Sequence, residues 1–358
     1  MPPQGAPVPE TLRMFPKVDL HRHLEGSVRF STALELAQAG RIPLPADAGE
    51  LRRLLTVVPG EPRRHSHFLS KFVPIRRIFQ SADIIRRVVV EAISDAAAEE
   101  IRYLELHVTP SAVGQELGMS PQAVLDLVLD AGRSASESGA QIGWVVSVNR
   151  HEDPSLAASA LAAAADLQSE EVVGVDLAGD ESGHGVGSFV SAFRQAKEAG
   201  LAVSVHAGEW DGPASVRSAI EQLDADRIAH GVRVLEDRDV TLLARDRGLH
   251  FAVCLTSNLQ SGVVDSLSAH PLPQMIQAGL QLSLNSDDPA VSCTDLPTEY
   301  SLAVNELGLS LESLRGMVMA AAQASFLPIK SKRALMERVQ QDIGLAPISF
   351  DRPSEDAG

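Results

Sequence analysis

Eight short runs, most of them ending in polar residues, recur along the chain with helix-like stretches between them. They are 17–24 (KVDLHRHL), 101–110 (IRYLELHVTP), 141–150 (QIGWVVSVNR), 172–181 (VVGVDLAGDE), 201–209 (LAVSVHAGE), 226–233 (DRIAHGVR), 250–258 (HFAVCLTSN) and 280–289 (LQLSLNSDDP). Helical character falls between them, at 119–138, 185–199, 236–247 and 266–279. Strand and helix alternating in this way call for a parallel sheet with helices outside, and eight repeats close most economically into an α/β fold, the (β/α)8 or TIM barrel. Parity within the runs agrees. In 101–110, Leu104, Leu106 and Val108 share one face, while Tyr103, Glu105, His107 and Thr109 share the other. The apolar face meets the helices and the polar face turns to the barrel lumen; a doubly wound sheet, buried on both faces, would lack this alternation.

One connection is too long for a simple crossover. Residues 25–100 separate the first two runs and hold helical stretches at 67–79 and 82–101. An insertion leaving the C-terminal end of the first strand sits over the barrel mouth, so 27–100 is expected to form a helical lid there. The expected unit is one barrel domain over 11–348, with 1–10 and 349–358 as flexible termini.

A formal charge of −16 and a pI near 5.1 argue against a nucleic-acid partner, because phosphate backbones are held by clustered Lys and Arg. No apolar run approaches the roughly 20 residues of a membrane span. The only cysteines are Cys254 and Cys293, and no charged-then-apolar leader opens the chain, so free thiols in a cytoplasmic protein are expected. A small molecule is the expected partner.

The polar residues at the strand ends carry the chemistry. His21 and His23 share one face of an extended strand about 7 Å apart, and His206, Glu209, His230, Asp287 and Asp288 fall at the same end of other strands. Three imidazoles and a carboxylate suit Zn²⁺ and leave a position for water, whose pKa the metal lowers to about 7. Each feature alone has a plainer reading. His65 and His67 repeat the spacing in a helical stretch, where they read as solvated or rim residues, and His270 reads as a helix-start residue. Asp288 before Pro289 can simply open a helix. Coincidence of so many polar residues at one end of the barrel outweighs these readings.

In this order and spacing, PKVDLHRHLEGS, GVDLAGDE, SVHAGE, RIAHGVR, LTSN and SLNSDDPA resemble the adenosine deaminase family of the metal-dependent amidohydrolases, from about Phe15 to Asn305. The resemblance implies one Zn²⁺ per subunit, held by His21, His23, His206 and Asp287. It implies Glu209 as proton donor to purine N1, His230 beside the attacking hydroxide to orient it and shuttle its proton, Asp288 at N7 and the Gly179 N–H at N3. His23 and Glu25 would border the substrate, with Phe68 and Phe72 of the lid against ribose or base. A proton delivered to N1 stabilises the charge that develops when C6 is attacked, and only a neutral Glu209 can deliver it.

The implied reaction is hydrolysis of adenosine or 2′-deoxyadenosine to the inosine compound and ammonia, with a purine nucleoside as small-molecule partner. The same chemistry on adenine, N6-methyl-AMP or another adenine-containing nucleoside stays open, because Glu25 stands where typical adenosine deaminases have aspartate. Arg63, Arg64, Arg76 and Arg77 would matter to a phosphate only if they face the mouth. A non-catalytic nucleoside-binding protein is the outside alternative, and every ligand and Glu209 being in place speaks against it. His107 departs from the arginine frequent at that position in the family. Glu105 and Arg150 read as supporting residues.

Overall fold

The computed structural model describes residues 8–135, 140–169 and 171–345. Eight strands, β1 Lys17–His23, β2 Ile101–Val108, β3 Gln141–Asn149, β4 Val172–Ala178, β5 Ala202–Ala207, β6 Arg227–His230, β7 His250–Val253 and β8 Gln281–Leu284, form one parallel sheet in sequence order. The sheet closes on itself just past β8. Asp287 donates its N–H to the His21 carbonyl at 2.9 Å, and His23 donates to the Asp287 carbonyl at 2.8 Å. One step further from the mouth, Asn285 Oδ1 accepts the Leu20 N–H at 2.8 Å. The result is the expected (β/α)8 barrel with helices around it.

All eight strands lie inside the runs read from the sequence, but several stop earlier. The run 250–258 ends as a strand at Val253, and Leu255–Gln260 is a helix. Polar residues at a strand's C-terminus serve a following loop or helix as readily as a ladder, so alternation alone overshoots the end. Of the expected termini, 1–7 and 349–358 lie outside the described residues, while Glu10 opens a short helix, Glu10–Arg13.

Local rules account for the outer helices. Ala82–Ala98 starts where the Ser81 hydroxyl accepts the Ile84 N–H, and it buries Ile84, Ile85, Val88, Val89, Ala92, Ile93 and Ala96 along one stripe. Burying each large aliphatic side chain contributes about 1.5–3 kcal/mol. Arg238–Asp246 starts on Asp237, whose carboxylate accepts from Asp239 and Val240. Ala82–Ala98 packs against β2 and Pro121–Ala135, so this part of 27–100 belongs to the outer ring of helices. His65–Ser70 and Phe72–Arg76, by contrast, contribute Phe68, Leu69, Phe72, Val73 and Arg76 to the wall of the barrel-mouth cavity.

Inside the barrel much of the polar face is paired. Glu105 takes the Tyr103 hydroxyl at 3.1 Å and forms an ion pair with Arg227, which stacks 3.8 Å over the Phe326 ring. Arg22, on the opposite parity to His21, turns away from the lumen and binds Asp19, Ser286 and Glu99. Both cysteines are free, Cys254 buried and Cys293 exposed. Among the described residues no helix is long and apolar enough to cross a membrane.

Candidate active site

A cavity of about 450 Å³ opens at the C-terminal ends of the strands. Its wall includes His23, Glu25, Gly179, His206, Glu209, His230, Asp287 and Asp288, together with Phe68 and Phe72. All the substrate-contact residues expected from the sequence thus border one space. Of the four arginines considered for a phosphate, only Arg76 reaches it, and Arg76 is paired with Glu152 at 2.6 Å. His67 pairs instead with Glu61, His65 lies against Trp210, and His184 is exposed.

At the cavity floor, the imidazoles converge. One ligand-type atom each from His21, His206, His230 and Asp287 lie within 4.8 Å of one another, as do those of His21, His23 and His107. His21 Nε2 is 3.2 Å from Asp287 Oδ1, and His23 Nε2 is 3.6 Å from the same oxygen. His21 is fully buried, yet neither of its ring nitrogens has a hydrogen-bond partner. An orphaned buried group costs about 1–3 kcal/mol, and coordination to a metal removes that cost. Burial also holds His21 well below the usual imidazole range and pushes His23 down to about 3, which keeps both neutral, the form that ligates. The donor set therefore fits a metal ion.

Supporting residues fix the cluster. Asp176 on β4 accepts from His206 Nδ1 at 3.2 Å, so the other ring nitrogen is free to coordinate, a pairing common behind metal-bound histidines. His107 packs edge-on to His21 with ring centroids 4.7 Å apart, and its Nε2 lies 3.3 Å from the Leu20 carbonyl. Arg150 donates to the His206 carbonyl. His230 and Asp287 both hold positive φ, at 60° and 57°. Such backbone costs about 1–3 kcal/mol per residue and is held only where the surroundings enforce it.

Glu209 follows β5 and is 2 % exposed. Burial, with the negative charges of Asp287 and Glu181, raises its carboxyl well above the usual range, which favours the protonated form over the carboxylate. Its loop is pinned by Glu181, whose carboxylate accepts the N–H groups of Gly208, Glu209, Trp210 and Asp211 at 2.6–3.0 Å. Burial and the nearby Asp287 likewise raise Asp288. Gly26 is needed beside it, because a Cβ there would fall 1.9 Å from Asp288 Oδ1. Glu25 accepts the Thr109 N–H at 2.8 Å with one oxygen, while the other has no partner; burial raises it to about 7.

Asp176, Glu181 and Asn258 carry no role in the sequence reading, and His270 carries only that of a helix-start residue. Asp176 and Glu181 lie inside the motif GVDLAGDE and Asn258 inside LTSN, but their partners are backbone amides or residues far along the chain. No fixed spacing marks them.

A barrel with a buried acid, a histidine and carboxylate cluster and a cavity of about 450 Å³ at its mouth defines a hydrolase of the amidohydrolase type. The adenosine deaminase family model matches residues 16–342. An adenosine deaminase of Shigella flexneri serotype 5b is 36% identical over 326 residues, covering 90% of this chain and 97% of that protein. The chain belongs to the adenosine deaminase family and is a deaminase acting on the C–N bond of a cyclic amidine. Among solved structures, adenine deaminase from Arthrobacter aurescens superposes with a TM-score of 0.83 at 26% identity, over 92% of this chain and 99% of its own. Arabidopsis ADAL in complex with IMP gives 0.84 at 26% identity, over 95% and 100%.

Proposed function

We propose that the protein is a zinc-dependent deaminase of adenosine and 2′-deoxyadenosine, one barrel domain over 11–348 with the segment around His65–Arg76 as its lid. The observation that carries this reading is Glu209, a buried carboxyl on the cavity wall, 3.7 Å from the His230 ring of the cluster and raised above the usual carboxylate range by burial. His21, His23, His206 and Asp287 would hold Zn²⁺, whose borderline softness matches nitrogen and oxygen donors. The ion would polarise water toward hydroxide at neutral pH.

The protein's own groups do the rest. Glu209 delivers its proton to N1 as water adds to C6, so that the ring nitrogen never carries a full negative charge. Asp288, whose carboxyl burial and Asp287 raise toward the protonated form, would donate to N7, and the Gly179 N–H, at a positive φ of 84°, would face N3. His230 orients the attacking water. Phe68 and Phe72, with ring centroids 6.1 Å apart, supply the apolar wall against the nucleoside.

A nucleoside is favoured over a nucleotide by charge. Among the described residues the cavity wall carries two carboxylates that stay ionised, Asp287 and Glu152, against a single arginine already committed to Glu152. The free oxygen of Glu25 suits a hydroxyl of the substrate. Adenine is the second reading, supported by the likeness to an adenine deaminase. Ammonia release from adenosine, 2′-deoxyadenosine, adenine, AMP and N6-methyl-AMP, measured with metal content, decides among them. No turnover of any of these by metal-loaded protein overturns the proposal.

A further inference from the structure

We infer that Asn258 and His270 are positioning residues that fix His230 as a hydrogen-bond donor, passing to its ring the polarity of one backbone N–H. The inference rests on the reading that His230 faces the reacting water, and it goes beyond it by assigning which ring nitrogen carries hydrogen.

The chain of contacts runs in one direction. Leu272 opens the helix Leu272–Gln277, and its N–H donates to His270 Nδ1 at 3.1 Å. His270 Nε2 lies 3.2 Å from Asn258 Oδ1, and Asn258 Nδ2 lies 3.2 Å from His230 Nδ1. All three side chains are buried, with at most 1 % exposed, so no solvent supplies an alternative partner. A backbone N–H can only donate. His270 Nδ1 therefore offers a lone pair, and the neutral ring, which burial favours, carries its hydrogen on Nε2. That hydrogen goes to Asn258 Oδ1, which turns the Asn258 amide hydrogens toward His230. His230 Nδ1 must then accept, leaving the hydrogen on Nε2.

This Nε2–H points into the site, 3.7 Å from Glu209 Oε1 and 3.9 Å from Asp287 Oδ2. The contrast with His206 is instructive: Asp176 draws the hydrogen to His206 Nδ1 and frees its Nε2 to coordinate, whereas Asn258 does the reverse to His230. Two histidines whose rings are 5.2 Å apart are thereby given opposite tasks. His230 holds an oxygen by donating to it and is excluded from the ligand set and from accepting a proton at Nε2.

The test is the nitrogen spectrum of ¹⁵N-histidine-labelled, zinc-loaded full-length protein, where ring nitrogens with and without hydrogen are separately resolved. Signals are assigned by their loss in His230→Asn and His270→Gln. The expected wild-type spectrum has hydrogen on Nε2 of both His230 and His270. In Asn258→Asp the carboxylate can only accept, so the hydrogen of His230 moves to Nδ1. There kcat falls about 10²-fold or more, with KM and zinc content little changed, because a mis-set histidine loses its part in the transition state rather than in binding. His270→Gln, which retains a donor for Asn258, keeps more activity than His270→Phe. A wild-type His230 with its hydrogen on Nδ1, or an Asn258→Asp spectrum identical to wild type, overturns the inference. The wild-type spectrum is read without substrate, so it stands or falls separately from the deaminase assay.

Discussion

The His21 carbonyl accepts the backbone N–H of Asp287 while the His21 imidazole lies 3.2 Å from the Asp287 carboxylate. Barrel seam and candidate metal site are thus built from the same two residues. Their main chains hold the first strand to the turn after the last, and their side chains form part of one cluster.

Because the seam is a backbone contact, its integrity and metal retention separate on mutation. Asp287→Ala is expected to keep the barrel, read by circular dichroism, while bound metal falls from about one ion per chain to near none. Chelation of the wild type should lower Tm, since a ligand at 100 times its Kd contributes about 2.7 kcal/mol; the variant should not respond.

Glu209→Gln should bind metal as the wild type does and lose about 10²–10⁴-fold in kcat. The wild-type rate should fall as pH rises through the raised Glu209 value, because the active form is the protonated one. A pH–rate profile checks both.

Removing the Glu181 carboxylate leaves the N–H groups of Gly208, Glu209, Trp210 and Asp211 without their acceptor. Glu181→Ala is expected to cost about 3 kcal/mol in urea unfolding. It should lower kcat with metal content unchanged, since it loosens the loop that aims Glu209.

Glu299 accepts from Thr256 and Thr294, and burial still pushes it up to about 7. Its folded value lies above the unfolded one, so its contribution to stability is full below about pH 4.5 and is lost as pH rises through about 7. The difference amounts to about 3 kcal/mol. Unfolding at about pH 5 and about pH 8 should show a smaller loss in Glu299→Gln than in wild type.

What the sequence made legible was periodic. Two-residue parity in 101–110 separated Leu104 and Leu106 from Glu105 and His107, and the same parity put Arg22 opposite His21, where it binds Asp19 and Glu99. The cluster was legible because its members all lie at or just past the C-terminal ends of strands. The supporting residues were not, because a carboxylate that binds backbone amides, as Glu181 does, or an amide that links two imidazoles, as Asn258 does, finds its partners through the fold. The opposite assignments of His206 and His230 depend on neighbours, Asp176 and Asn258, that are 30 and 28 positions away.

The closing contact between Leu20 and Asn285 spans 265 positions. During synthesis, the first strand leaves the ribosome with its two imidazoles long before the carboxylate that completes their cluster exists. A truncated chain ending before β8 carries the imidazoles of His21, His23 and His206 but neither Asp287 nor the seam that aligns them. On the proposed donor set, metal capture by all four ligands waits until Asp287 has been made, and a product cut short before β8 is left without the completed cluster.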